Sequence, residues 1–516
     1  MSTRDSALRN TLFSSIGIYT EYFLGMVAAI MVARHLGPTD YGIYGLFIWF
    51  ASVGVVVTNS GVTNGVIKFV AELRGVGRHD LIVPMLARLR RAQLWHLVLV
   101  VVAAALLFIV AGKRLAGDLG PTDFCLLLFA VGMRAPYMFN IAVAKGFEAF
   151  DATAKVALVA APLNLAMVIA VSLLHASITW FLVVYAFSSA LFLLASRFQV
   201  RRLLSGLPSP GHLADELIRR MRRHLRIISL TIILSFLVAS DVEILFLNLY
   251  ASPRSAGYFK VAYQLATGIM LLVPGVFGAL LLPMMAKALS QSMDVAGQRF
   301  VDATSYLMLL AAPVLGFGIV FSRTIIGLLY GGAYAAAAPV FAWCLFAGAV
   351  TTVTQSAISL LVSADRQRTI LIMTISFGIM KFLLDMTLIR HFGLHGAIAA
   401  IVLVTLASST SYLTIGMRVG GVQMTWMRLL RTVLAGALAS LLASLVTGFS
   451  LPPILTLMIG GLALTGVYFL LTLGLGCWSV ADLVQLQGLH RRFASGRPLW
   501  VGSLLRWFEG RAGRMS

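Results

Sequence analysis

Residues 92–112 read AQLWHLVLVVVAAALLFIVAG, 21 residues without a single formal charge. At 1.5 Å per residue a helix of that length crosses the ~30 Å hydrocarbon core of a bilayer. No polar stripe runs along it, so it has no face to offer water. Outward from this stretch the pattern recurs along all 516 residues, of which 59% are apolar and 11% charged. Soluble proteins are about a quarter charged, and disorder, a collagen repeat or a disulfide-stapled domain are excluded by the same composition. Cys125, Cys344 and Cys477 are scattered, without metal-ligand or disulfide-framework spacing. The expected fold is an all-α integral membrane protein of about fourteen spans. They are placed near 13–33, 43–66, 92–112, 122–144, 156–175, 177–197, 226–249, 260–286, 304–322, 335–363, 370–389, 395–417, 432–449 and 453–476. The first is too long for the core of a cleavable signal and is expected to be retained.

A net charge of +21 would in a soluble chain point to nucleic acid. Here the placement of the charges gives a different meaning. With the N-terminus inside, 31 of the 40 Lys and Arg fall on inner segments and 6 on outer ones. That bias predicts cytoplasmic termini, basic loops facing anionic lipid, and no nucleic-acid partner. Within LADELIRRMRRHLR (213–226), Leu213, Leu217, Met221 and Leu225 recur every four residues while arginines fill the other faces. This is the pattern of an amphipathic helix lying on the membrane surface. A second such helix is expected in the tail, on Trp500, Leu504, Trp507 and Phe508.

The chain also repeats itself. LGPTDYGIYGL from Leu36 returns as YASPRSAGYFKV from Tyr250, with Pro38 on Pro253 and Gly42 on Gly257 at an offset of 215. FVAE then falls on MMAK, and KGFEAFDAT (145–153) matches LVSADRQRT (361–369) at an offset of 216. Six spans make one unit, so the halves keep the same orientation and are related by a pseudo-two-fold axis along the membrane normal. The expected organisation is an N-lobe at 1–198, an amphipathic cytoplasmic linker at 199–225, a C-lobe at 226–418, two further spans at 419–476 and an amphipathic tail at 477–516. Paired bundles of this kind suit alternating access around a central site; a rigid scaffold is the competing reading.

The stretches ARHLGPTDYGIYGL (33–46), TNSGVTNG (58–65), FVAEL (69–73), KGFEAFDAT and HFGLHGAIAA (391–400) resemble polysaccharide-biosynthesis proteins. These are O-antigen-type, lipid-linked oligosaccharide flippases of the multidrug/oligosaccharidyl-lipid/polysaccharide exporter superfamily. The resemblance covers essentially the whole chain and implies two six-helix lobes around a V-shaped cavity. It further implies a bacterial inner-membrane flippase that moves an undecaprenyl-pyrophosphate-linked glycan from the cytoplasmic to the periplasmic leaflet. The product would feed lipopolysaccharide or exopolysaccharide assembly, with membrane lipids and a polysaccharide polymerase as partners and no cofactor. Spans 13 and 14 would extend a groove for the polyprenyl tail. The sequence departs from the family in the span before HFGLHG, where asparagines are usual and Lys381 and Asp385 stand here.

Ionisable groups at bilayer depth are costly and mark function or pairing. Arg134 falls about 18 Å from the outer end of its span and offers a bidentate fork to pyrophosphate; alternatively it satisfies a carbonyl freed by Pro136. Lys381 and Asp385, four apart, share one helix face, as a cavity contact or as a self-neutralising pair. Asn59 and Gln264 are candidate sugar contacts or helix glue. Coupling to H+ or Na+ is expected at Glu21, roughly 12 Å into the first span, or at Asp241 and Glu243. The last two lie about 200° apart around a helix, so at most one faces a cavity, and Asp241 is the deeper. The nearest rival is a cation-coupled multidrug or small-molecule exporter of the same superfamily. A membrane enzyme is disfavoured because the outer loops are short and neither HExxH nor GxxxxGK[ST] occurs.

Overall fold

The computed structural model describes residues 3–115, 120–208, 211–239 and 241–478. Beyond its first two residues the expected amphipathic tail, 477–516, lies outside them. Among the described residues there are sixteen α-helices and no strand. Helix α1 (Thr3–Asn59) is two helices meeting at Gly37 (φ 73°, ψ 174°), after which Pro38 starts the second. A proline's missing N–H is harmless in a first turn, and glycine takes the left-handed φ without penalty. Then come α2 (Val62–Gly75), α3 (Ile82–Leu115), α4 (Pro121–Gly146), α5 (Phe150–Leu173) and α6 (Ile178–Leu204). Helices α7 (Asp215–Ala239), α8 (Val242–Tyr250), α9 (Pro253–Leu289), α10 (Met293–Val320) and α11 (Ser322–Tyr330) follow. The chain continues through α12 (Ala337–Ser363), α13 (Gln367–Phe392), α14 (Leu394–Gly420), α15 (Trp426–Ser444) and α16 (Pro453–Gly474).

Among the described residues eleven stretches are long and apolar enough to span a membrane, where fourteen were expected of the whole chain. The first, Tyr19–Asn59, has 41 residues and holds both of the first two expected spans, divided by the bend at Gly37. The second ends at Asn59 rather than 66, because Gly61 turns left-handed (φ 70°) and begins α2. The seventh, 226–249, is split: α7 ends at Ala239, and Asp241 (φ 40°) caps the short α8. Residues 92–112 lie on α3 with Trp95, Leu99, Ile109 and Val110 exposed, as a lipid-facing surface requires.

The helices form two compact units. Residues 1–260 and 381–397 make one, residues 261–380 and 398–516 the other. In the first, α1 packs on α4, α5 and α6, and α2 on α4 and α7. In the second, α10 packs on α12, α15 and α16, and the Tyr468 hydroxyl of α16 donates to the Leu309 carbonyl at 2.8 Å.

The linker differs from its expected form. Residues 215–239 are one continuous helix rather than a surface helix followed by a span. The stripe Leu213, Leu217, Met221 and Leu225 joins a buried protein cluster. It packs against Val62, Val66, Phe69 and Val70 of α2, and Met221 is only 2% exposed. Arg220 pairs with Glu72 and stands over the Phe69 ring, while Lys68 approaches His224 at 3.4 Å. Burial first, then Lys68 and Arg220, hold the His224 imidazole below its ordinary range. Amphipathic spacing identifies an apolar face; it does not say whether lipid or protein covers that face.

The repeat is visible in the backbone. A Cβ placed on Gly42 would lie 1.8 Å from the Pro253 carbonyl oxygen, and one on Gly257 1.9 Å from that of Pro38. Each copy of the duplicated turn thus seats its proline carbonyl in the space left by the other's glycine. Further along, α4 and α12 end in the same way. Ala149 N–H bonds the Ala144 carbonyl around Glu148 (φ 57°), and Arg366 N–H bonds the Leu361 carbonyl around Asp365 (φ 54°). Both are Schellman-type ends. Their offset is 217, one more than side-chain matching gave.

Replacing Gly42 or Gly257 by alanine is expected to destabilise the protein by about 1–3 kcal/mol or more, the range for forced overpacking. Thermal unfolding in detergent checks this, with Gly25→Ala as control because nothing lies within 4 Å of a Cβ there. An unchanged Tm in Gly257→Ala would contradict the reciprocal contact.

Candidate functional site

Three polar groupings occur inside the first unit. The first centres on Arg134 of α4. Its guanidinium carbon lies 5.7 Å from the Tyr137 ring centre and 5.4 Å from that of Phe192. Glu21 of α1 is the carboxylate that acts on the guanidinium electrostatically. The rings hold the cation by their quadrupoles. Among the described residues no carboxylate comes within ion-pair distance of Arg134, so Glu21 is a neighbour in the field and not a fixed partner. An arginine so placed can receive the oxygens of a phosphate or carboxylate.

A second grouping, unforeseen as a network, sits beside it. Gln93 of α3, 1% exposed, donates to the Asn59 side-chain oxygen at 2.6 Å and to the Ala135 carbonyl at 2.8 Å. Asn140 of α4 donates to Ser196 of α6 at 2.9 Å and accepts from Arg90 at 3.3 Å. Buried amides need such partners, and here they tie α1, α3, α4 and α6 together. In this conformation Asn59 binds helix to helix. Gln93 was readable as the one amide at the inner end of the apolar stretch, but its partners lie on other helices.

The third grouping joins α8, α9 and α13. Lys381 and Asp385, four apart on α13, pair at 3.1 Å. Lys381 also reaches Glu243 of α8 at 2.7 Å, a partner that spacing alone could not show. Asp241, at the start of α8, pairs with Lys260 of α9 at 3.2 Å. Asp241 and Glu243, two residues apart, take different lysines. Depth in the sequence favoured Asp241, yet Glu243 is the buried one, its side chain 1% exposed against 28%. The break in the helix at Asp241 is the reason. Gln264 lies on α9 in the second unit, half-buried. Among the outer-rim arginines, Arg254 donates to the Tyr258 hydroxyl at 2.7 Å. No group of three or more metal-ligating side chains occurs among the described residues.

Residues 7–289 match the family model described as polysaccharide biosynthesis protein. No curated protein sequence matches the chain. Among solved structures, lipid II flippase MurJ in an inward closed conformation is 12% identical with a TM-score of 0.70, covering 90% of this chain and 98% of its own. A multidrug-resistance MATE-family transporter of the MOP superfamily, inward-facing, is 15% identical with a TM-score of 0.63, covering 80% and 98%. A MOP-superfamily transporter from Pyrococcus furiosus is 15% identical with a TM-score of 0.53, covering 80% and 95%. At these identities the likeness is one of fold.

If Gln93 and Asn59 act as one unit, a double-mutant cycle on Gln93→Ala and Asn59→Ala should give a coupling of about 0.5–3 kcal/mol in unfolding free energy. Additive effects would show that the 2.6 Å contact carries no coupling.

Proposed function

Because the chain belongs to the polysaccharide biosynthesis protein family, we propose that it is a flippase for a polyprenyl-pyrophosphate-linked oligosaccharide. The glycan passes from the cytoplasmic to the periplasmic leaflet of the bacterial inner membrane by alternating access, on its way to a surface or secreted polysaccharide. The undecaprenyl carrier stays in the lipid phase while its headgroup crosses. The observation that carries this reading is Arg134: a cation inside the span Pro121–Gly146, cradled by aromatic rings and not paired to a carboxylate. Pyrophosphate is the part of such a substrate that most needs a cation away from water. The six-span lobes at 1–198 and 226–418, moving against each other, remain the proposed machinery. The linker, the last two spans at 419–476 and the tail complete the proposed organisation. The Lys and Arg bias supports cytoplasmic termini. Delivery of the glycan to a polymerase on the outer face is part of the same proposal.

A second reading, a cation-coupled multidrug or small-molecule exporter, draws on the MATE likeness and on the buried acids Glu243 and Asp385. The two readings differ in what must reach Arg134. An anionic headgroup needs its charge, whereas a cationic drug is repelled by it.

Deleting the gene should leave the lipid-linked glycan facing the cytoplasm and the surface polysaccharide missing, read by labelling intact cells and spheroplasts. Arg134→Ala should insert normally and lower transport roughly 10- to 100-fold, the range for losing one hydrogen-bonded charge contact. Arg134→Lys should recover part of it. Normal polysaccharide in the deletion strain, or full transport by Arg134→Ala, would overturn the reading.

A further inference from the structure

Glu243, Lys381 and Asp385 carry two negative charges and one positive; both carboxylates are buried and only the lysine, 16% exposed, reaches the surface. Glu243 is 1% exposed and Asp385 fully buried. Lys381 and Asp385 lie inside the span Gln367–Phe392. An uncompensated charge there is costly, and two acids sharing one base relieve it by taking up a proton between them. The atom to receive that proton is present. Asp385 uses Oδ2 on the lysine, while its Oδ1 is buried without a hydrogen-bond partner. A protonated Oδ1 removes the net charge and turns a lone acceptor into a donor.

Among the described residues no other cation pairs with these acids. Asp241 and Lys260, on α8 and α9, already neutralise each other. On the turn after Asp385, Arg390, His391 and His395 are exposed. The most negative point of the group, between the two carboxylates, is filled by the Lys381 ammonium at 2.7 and 3.1 Å. A sodium ion entering the same place would meet that fixed charge.

We propose that this triad is a one-proton site: Asp385 holds an exchangeable proton, Lys381 is a built-in cation that excludes Na+, and the ion coupled to transport is H+. The coupling rests on the transport reading above; the proton site does not. In one half-cycle the Oδ1–H bond breaks and its proton leaves to water, the electron pair staying on the carboxylate. In the other half-cycle the bond re-forms from the opposite side, with no redox change.

Infrared difference spectra of the full-length protein in detergent test the site without any substrate. Wild type should show a protonated-carboxyl band at neutral pH that disappears on alkalinisation. The band should be missing in Asp385→Asn and displaced in Asp385→Glu, so one poorly folding variant does not decide the matter. Wild-type Tm should be the same in NaCl and in KCl of equal ionic strength, through tenfold steps of concentration. Lys381→Gln should acquire a Na+-dependent rise in Tm. Absence of a titrating carboxyl band in wild type, or a Na+-dependent Tm in wild type that Asp385→Asn removes, overturns the proposal. In proteoliposomes, a pH gradient should drive lipid-linked glycan across, and a Na+ gradient at equal pH should not. If the band and the indifference to Na+ hold but no glycan moves under either gradient, the flippase reading falls and the proton site stands.

Discussion

A charge in hydrocarbon must be answered by another charge, a proton or an aromatic face. Much of what is irregular in the first unit follows from that constraint. The helix that sequence pattern would have run through 226–249 breaks at Asp241, in a left-handed conformation that aspartate tolerates better than most residues. The break sends Asp241 to Lys260 and leaves Glu243 for Lys381. Arg134, which among the described residues forms no ion pair, lies against Tyr137 and Phe192. Three cations thus find three kinds of environment: a partly exposed pair, a buried triad and a ring-lined niche. Their chemistry differs accordingly.

The buried amides do another job. Gln93, Asn59 and Asn140 have side-chain partners on neighbouring helices, and these bonds fix helix to helix where apolar packing alone would allow sliding. Arg134 stands one residue before Ala135, whose carbonyl accepts from Gln93. The ring-lined cation is therefore held on a stretch of α4 that is itself tied to α3, so its position is set by the scaffold and not by a mobile loop.

Local information in the sequence was enough for the helices, the lipid-facing stretch on α3, the duplicated turns and the i,i+4 pair of Lys381 and Asp385. Those features depend on residues near one another in the chain. It was not enough for Glu243 meeting Lys381, separated by more than a hundred positions, nor for the partners of Gln93. The stripe from Leu213 to Leu225 had the right period, and only tertiary structure could show α2 beneath it. The break between the first two spans was legible around Gly37, whereas the interruption at Asp241 lies in a backbone angle that hydropathy does not register.

The duplicated turns interlock through main chain on one side and an absent side chain on the other. Carbonyl oxygens cannot be mutated away, so each copy imposes the same demand on its twin for as long as the fold lasts. A gene that doubled and then drifted would lose its resemblance first where contacts run through replaceable side chains and last at such mutually enforced vacancies. That accounts for Gly42 and Gly257 surviving as a readable echo while most of the surrounding duplicate has faded.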